Sequence, residues 1–364
     1  MKKRRQSKFK MIQQELVETI RNTNKYINIL GEKTSAIHKA ISELQNRVDD
    51  IRNIPSSDLI KLQELKEVRV EWENQVDKIE KDFKMSVGKH AGTGVAGAGA
   101  GVAVATLGPT VAMGIATTFG VASTGTAIST LSGAAATNAA LAWLGGGALA
   151  AGGGGTVAGQ ALLALAGPIG WAIAGITIVG SGLLFWRTKS NKDKLENNFS
   201  LIGKRDINKY KLAIVELKER IDRIEDEMDI LGSAIKEIST FGTDYNKMTE
   251  RQQYELGAYV NLMNSSTQLL VNPIMGLQPN ITEDDFNNYA TSKNTSEEIK
   301  RQKMIIVSLS NMLFEIELDQ NEQKLIWKSL KRDKKFLHSM NITKKKFPLE
   351  IMKSVEGVLD YKKQ

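Results

Sequence analysis

Between Ala91 and Trp186 the chain carries no Asp, Glu, Lys, Arg or His. An uncharged run of that length enters a bilayer, enters a core, or stays a low-complexity, poorly ordered chain. Its make-up narrows the choice. Of the chain's 31 glycines, 23 lie in this segment, together with 25 alanines, which is half its length in two residue types. In water each interior Gly costs a helix ~1 kcal/mol relative to Ala, and few large side chains are present to build a dense core. In hydrocarbon the balance reverses. Backbone groups there have no water to bond, so helix is favoured, and small residues let helices approach closely.

Turn signals divide the segment at Gly108-Pro109, at Gly133 and most strongly at Gly152–Gly155. Ala161–Trp186 is the best spanning candidate, rich in Leu, Ile and Val with a kink at Gly167-Pro168; a span needs ~20 residues. Ala134–Ala151 is a second candidate, and Pro109–Leu131, studded with Thr and Ser, is a poorer one. The side chains expected to enter lipid are Trp143, Leu162, Leu163, Leu165, Trp171, Ile173, Ile176, Ile178, Leu183, Leu184, Phe185 and Trp186, the last as an interfacial anchor. Gly97/Gly101 and Gly155/Gly159 are spaced for close helix packing, and Ala166, Gly170 and Ala174 continue that spacing. Lys84 and Lys89 precede the segment, and Arg187, Lys189 and Lys192 follow it. These five are expected to meet anionic headgroups. Basic residues at both borders put both ends on one side of the membrane, hence two or four crossings. A hairpin buried inside a soluble helical bundle is the competing reading. The two are compatible if the arms sheath the hairpin in water and release it at a bilayer.

The flanks read as helices. Ile27, Leu30, Thr34, Ile37, Ile41, Leu44, Val48 and Ile51 alternate three and four apart, the seam of a coiled coil or long bundle helix. Pro55 predicts a break and Asp58 a cap for the next helix, whose seam runs through Leu62, Leu65, Trp72, Val76, Ile79 and Phe83. Arg69 occupies one seam slot, expected at an open edge or paired with an acid. A second arm repeats the pattern from Ile207 to Ile238, with Glu225, Asp226 and Glu227 on a solvated face. Arms of roughly 50–75 Å need partners, and each is the natural partner of the other. Further helices are expected over Glu250–Asn272, after a Thr282 cap, and from Thr295 or Ser296 through Leu313, running on towards Met340. The whole is an all-α, elongated bundle with an inserted membrane hairpin. It divides into an N-terminal arm (1–90), the inserting segment (91–186), a second arm (187–272) and a C-terminal helical region with a basic tail (273–364).

No chemistry-bearing constellation emerges. Gly92-Thr93-Gly94-Val95-Ala96-Gly97 fits the dinucleotide fingerprint only in letters, since a charged helix and not a strand precedes it. The three histidines, His38, His90 and His338, lack metal-ligand spacing, and there is no cysteine. Neither catalysis nor a cofactor nor a metal is expected. The net charge of +8 is clustered at Met1–Lys10, Lys328–Lys335 and Lys344–Lys346. No nucleic-acid recognition pattern accompanies these clusters, so anionic lipid is the favoured partner. The N-terminal basic run is followed by an amphipathic helix and not by an apolar signal region, which places the protein in the cytosol until it meets a membrane.

An apolar Gly/Ala-rich hairpin between long coiled-coil helices resembles the α-helical pore-forming proteins of the cytolysin A and tripartite haemolysin type. The central stretch is also similar to that of apolipoprotein L. The resemblance implies a soluble bundle that hides the hydrophobic element, then insertion of Ala134–Trp186 and homo-oligomerisation into a pore through the arms. The uncharged segment is about twice the length of a simple hairpin, and with no secretion signal the resemblance points to an intracellular target membrane. A bacterial toxin or antiphage effector fits this layout. The alternative is a permanently anchored coiled-coil scaffold that recruits protein partners.

Overall fold

The computed structural model describes residues 8–91, 109–120, 189–332, 337 and 342–364. Four long helices form its body: α1 (Lys8–Asp49), α2 (Ser56–Ala91), α4 (Lys189–Ile238) and α5 (Glu250–Val271). A short helix from the uncharged segment, α3 (Pro109–Phe119), is set among them. Then follow α6 (Glu283–Ser292), α7 (Glu297–Lys300), α8 (Lys303–Leu313), α9 (Gln320–Arg332) and α10 (Glu350–Lys363). Among the described residues there is no strand, only an isolated bridge between Arg52 and Asp244.

The seams act as the spacing predicts. Ile27, Leu30, Thr34, Ile37, Ile41, Leu44, Val48 and Ile51 are all buried in α1 and its exit. On α4, Ile207, Tyr210, Ile214, Leu217, Ile221, Ile224, Leu231 and Ile238 are buried, with Met228 and Ile235 half-buried against the same core. The most extensive packing is between α1 and α4, and the two helices run parallel. Lys211 pairs with Glu15 at 2.8 Å, Lys218 lies over the Tyr26 ring, and Lys33 pairs with Glu225 at 2.6 Å, so numbers rise together along both helices. Helix α2 returns antiparallel to α1: His38 faces Glu73, Gln45 faces Arg69, and Asp49 faces Lys66. Helix α5 returns along α4, with Tyr259 on Glu237, Ser266 on Glu227, and Arg220 on the Leu269 and Asn272 carbonyls. Glu227 is thus a half-buried acceptor and not part of a wholly solvated acidic face.

Local signals place most boundaries. Thr249 and Thr282 each make a capping box, with Gln252 and Asp285 at the third helical position. Helix α5 stops at Val271, just before Pro273. Helix α2 starts at Ser56, earlier than an Asp58 cap would put it, and Asp58 instead sits in its first turn, where a carboxylate favours the helix dipole. Among the described residues, the last long helix expected from Ser296 towards Met340 is divided into α7, α8 and α9. The chain turns at Glu315, which takes φ 58°, and restarts where Asp319 and Glu322 accept each other's backbone N–H.

Helices α6, α8, α9 and α10 pack on one another, and α9 reaches α4. Their junction with α4 is polar. Arg205 donates to the carbonyls of Met312 and Phe314 and grips Asp206 at 2.7 Å. Lys209 donates to Gln278 O at 2.7 Å and to Asn280 Oδ1 at 3.0 Å. Burial pushes the Asp206 carboxyl up despite Arg205, and pushes Lys209 down to about 8.

Candidate functional site

Helix α3 is the described part of the uncharged segment, and it is not on the surface. Pro109 opens it, a position where the missing N–H costs nothing. From Ala112 to Gly120 every residue except the half-buried Met113 is buried. A helix apolar on all sides belongs in a core, and α3 lies against α1, α2 and α5. Two glycines set its depth. A Cβ at Gly31 of α1 would stand 1.9 Å from Thr110 O, and one at Gly114 would stand 2.3 Å from Ile27 O. The two helices therefore cross backbone to backbone, which only a glycine pair permits.

Polar groups fasten the rest. Trp72 of α2, wholly buried, donates its indole N–H to Thr117 Oγ1 at 3.2 Å. Thr118 Oγ1 donates back to Gly114 O at 2.7 Å, which removes a hydroxyl from the apolar surround. Thr118 O accepts from Ile274 N at 2.8 Å and from Gln278 Nε2 at 3.2 Å. Gly120, at φ 75°, ends the helix against Val271 and Pro273, where a Cβ would come within 2.6 Å of Val271 O. The C-terminus of α3 is thereby capped by the turn that follows α5.

Beside Trp72 lies a buried charged group. Arg69 is buried, contrary to the expected open edge, and its direct partners are neutral: Gln45 Oε1 at 2.8 Å and Thr267 Oγ1 at 3.2 Å. Burial lowers its guanidinium affinity for a proton, while Asp49 and Glu73 oppose that. His38 packs its ring 5.3 Å from that of Trp72 and sits 2.9 Å from Glu73 Oε1. Burial pushes its imidazole down, outweighing Glu73, and Arg69 adds to the effect. His38 Nε2 and Glu73 Oε1 are within hydrogen-bond distance, and the lowered proton affinity of the imidazole weighs against a full ion pair.

The residues expected to enter lipid, Trp143, Leu162, Leu163, Leu165, Trp171, Ile173, Ile176, Ile178, Leu183, Leu184, Phe185 and Trp186, lie outside the described residues. So do Gly97, Gly101, Gly155, Gly159, Gly170, Ala174 and Arg187. Lys84 and Lys89 fall in the last turns of α2, and Lys189 is the first residue of α4. Lys192 is exposed, with Glu196 one turn on at 3.9 Å. Among the described residues no helix is long and apolar enough to cross a membrane, and no group of three or more His, Cys, Asp or Glu side chains could hold a metal. The clasp around α3 was not foreseen from the sequence. Its one visible signal is Gly31, a lone glycine inside a strong heptad pattern, which usually marks close backbone approach. Searches of protein-family models, curated proteins and solved structures return no match.

Proposed function

We propose that this is a membrane-inserting, pore-forming helical protein without enzymatic activity, in which the charged arms store an uncharged segment and release it at a lipid bilayer. It would act from the cytosolic side, prefer anionic lipid and assemble with copies of itself. The observation that carries the reading is the burial of α3, the one described helix of a ninety-six-residue uncharged run, inside a bundle of charged helices. A permanent anchor would have no need to fold part of its apolar segment into the core of its own arms.

The energetics favour conditional release. Burial of Ile115 and Phe119 contributes about 3–6 kcal/mol to docking, at 1.5–3 kcal/mol per large apolar side chain. That share is regained when the same side chains enter hydrocarbon. The hydrogen bonds from Trp72, Ile274 and Gln278 are not regained, and at roughly 1 kcal/mol each they bias the chain towards the stored state by about 3 kcal/mol. Helix α3 itself is only about 16 Å long, against a hydrocarbon core of ~30 Å. It cannot cross alone, so insertion must draw in the residues that follow it, with Ala161–Trp186 as the main span.

The test is dye release from anionic liposomes by protein purified without detergent. Release rising steeply with protein concentration supports the reading. Binding without release favours the anchored scaffold, and no binding rejects both.

A further inference from the structure

Helix α4 has a face that no other described element covers. Leu201, Leu212, Val215 and Ile230 are 44%, 65%, 61% and 54% exposed. At 3.6 residues per turn all four fall within about 60° of the direction of Val215. Lys204, Asn208, Lys211, Glu219, Asp222, Asp226 and Asp229 share that face and are also exposed. Between Leu201 and Ile230 the charges of this face are sorted, lysines before Val215 and acids after it, whereas Asp193 and Lys236, further out and also exposed, reverse that order. Lys218 lies at the margin, over the Tyr26 ring. Lys211 reaches Glu15, whereas Lys204, Asp222, Asp226 and Asp229 make no ion pair within the described residues.

The order is symmetric about Val215. Lys204 stands eleven residues before it and Asp226 eleven after; Asn208 and Asp222 stand seven to either side; Lys211 and Glu219 stand four. Leu201 and Ile230 lie fourteen and fifteen residues away, on the same flank of the face. Such a pattern is self-complementary under an antiparallel two-fold and self-repelling in a parallel pair, where acids would meet acids. We infer that the outer face of α4 binds a second copy of this chain antiparallel, with the two Val215 side chains meeting on the two-fold axis. Lys204 then faces the second copy's Asp226 and Asp229, and Leu201 packs beside its Ile230. A closed two-fold interface uses the same patch twice, so each charge pair occurs twice. This pairing belongs to the protein in water and stands independently of the membrane reading.

The chain has no cysteine, which makes the test clean. Single variants Leu201→Cys, Val215→Cys and Ile230→Cys of the full chain are oxidised without lipid, alone and in mixtures. Val215→Cys should cross-link with itself at least about tenfold faster than Leu201→Cys or Ile230→Cys alone, since paired thiols meet at a roughly millimolar effective concentration. A mixture of Leu201→Cys and Ile230→Cys should cross-link as a heteropair. In sedimentation, Lys204→Glu and Asp226→Lys should each shift the dimer towards monomer, and the double variant should restore it. Self-cross-linking at comparable rates by all three single variants would mean a parallel pair and overturn the inference. So would a monomer at every concentration, or a charge swap that fails to rescue.

Discussion

Replacing Gly31 by Ala separates the two ways in which that glycine acts. Within α1 an alanine is the better helix former by ~1 kcal/mol. Against α3 it is not tolerated, because the new methyl would stand 1.9 Å from Thr110 O and 2.9 Å from its carbonyl carbon. Both are backbone atoms of a helix, so no side chain can rotate away, and the helices must part by roughly 1 Å in a close-packed interior. Overpacking of this kind costs about 1–3 kcal/mol. Charged to the docked state alone, that raises the undocked population roughly 5- to 150-fold. The assay is hydrogen exchange of the peptide covering residues 109–120, run beside dye release from anionic liposomes. Exchange in α3 should accelerate while α1 and α4 stay protected, and release should begin at lower protein concentration. Gly232→Ala is the matched control, since a Cβ there meets nothing within 4 Å and should only stabilise α4. If Gly31→Ala left α3 as protected as before, the crossing would not hold it. If α3 opened but release was unchanged, storage of α3 would have no part in membrane activity.

Thr117→Val keeps the shape of α3 but removes the acceptor of the Trp72 indole, and should ease release by about 1 kcal/mol, read as a several-fold lower protein concentration at half-maximal leakage. Arg69→Ala strands Gln45 and Thr267 in a buried site and should lower thermal stability by about 2–4 kcal/mol, whereas Arg69→Met, which refills the volume, should cost less. Lys209 loses its proton at about 8 when folded and near its ordinary value when unfolded, so the unfolded chain binds more protons between those limits. Stability should therefore rise with pH across that window by on the order of 1–3 kcal/mol, and Lys209→Met should flatten the slope in denaturant titrations. Ala174→Arg places a charge in the middle of Ala161–Trp186 at a cost of several kcal/mol and should abolish leakage without changing the melting of the arms; unchanged leakage would remove that stretch as the span.

The long helices were legible because their seams repeat over many turns, from Ile27 to Ile51 and from Ile207 to Ile238, and because Pro55, Pro273 and Thr282 act locally. What failed needed information from elsewhere in the chain. Arg69 breaks its seam, and nothing nearby in sequence says that Gln45 and Thr267 will satisfy it in the core. The division of the final helix turns on Glu315 taking a positive φ, which its residue type does not announce. The parallel course of α1 beside α4 is not announced by either seam, because the spacing alone does not fix the direction of a partner helix. The storage of α3 rests on two glycines more than eighty residues apart in sequence, each of which alone reads as a mild helix defect.

The most direct test places an environment-sensitive fluorophore on Ala174→Cys in this otherwise cysteine-free chain and adds anionic vesicles carrying a lipid-tail quencher. Storage followed by insertion predicts a blue-shifted, lipid-quenched signal that appears on vesicle addition and appears sooner in Gly31→Ala. A probe at that position that stays unquenched while the protein binds the vesicles would contradict the account.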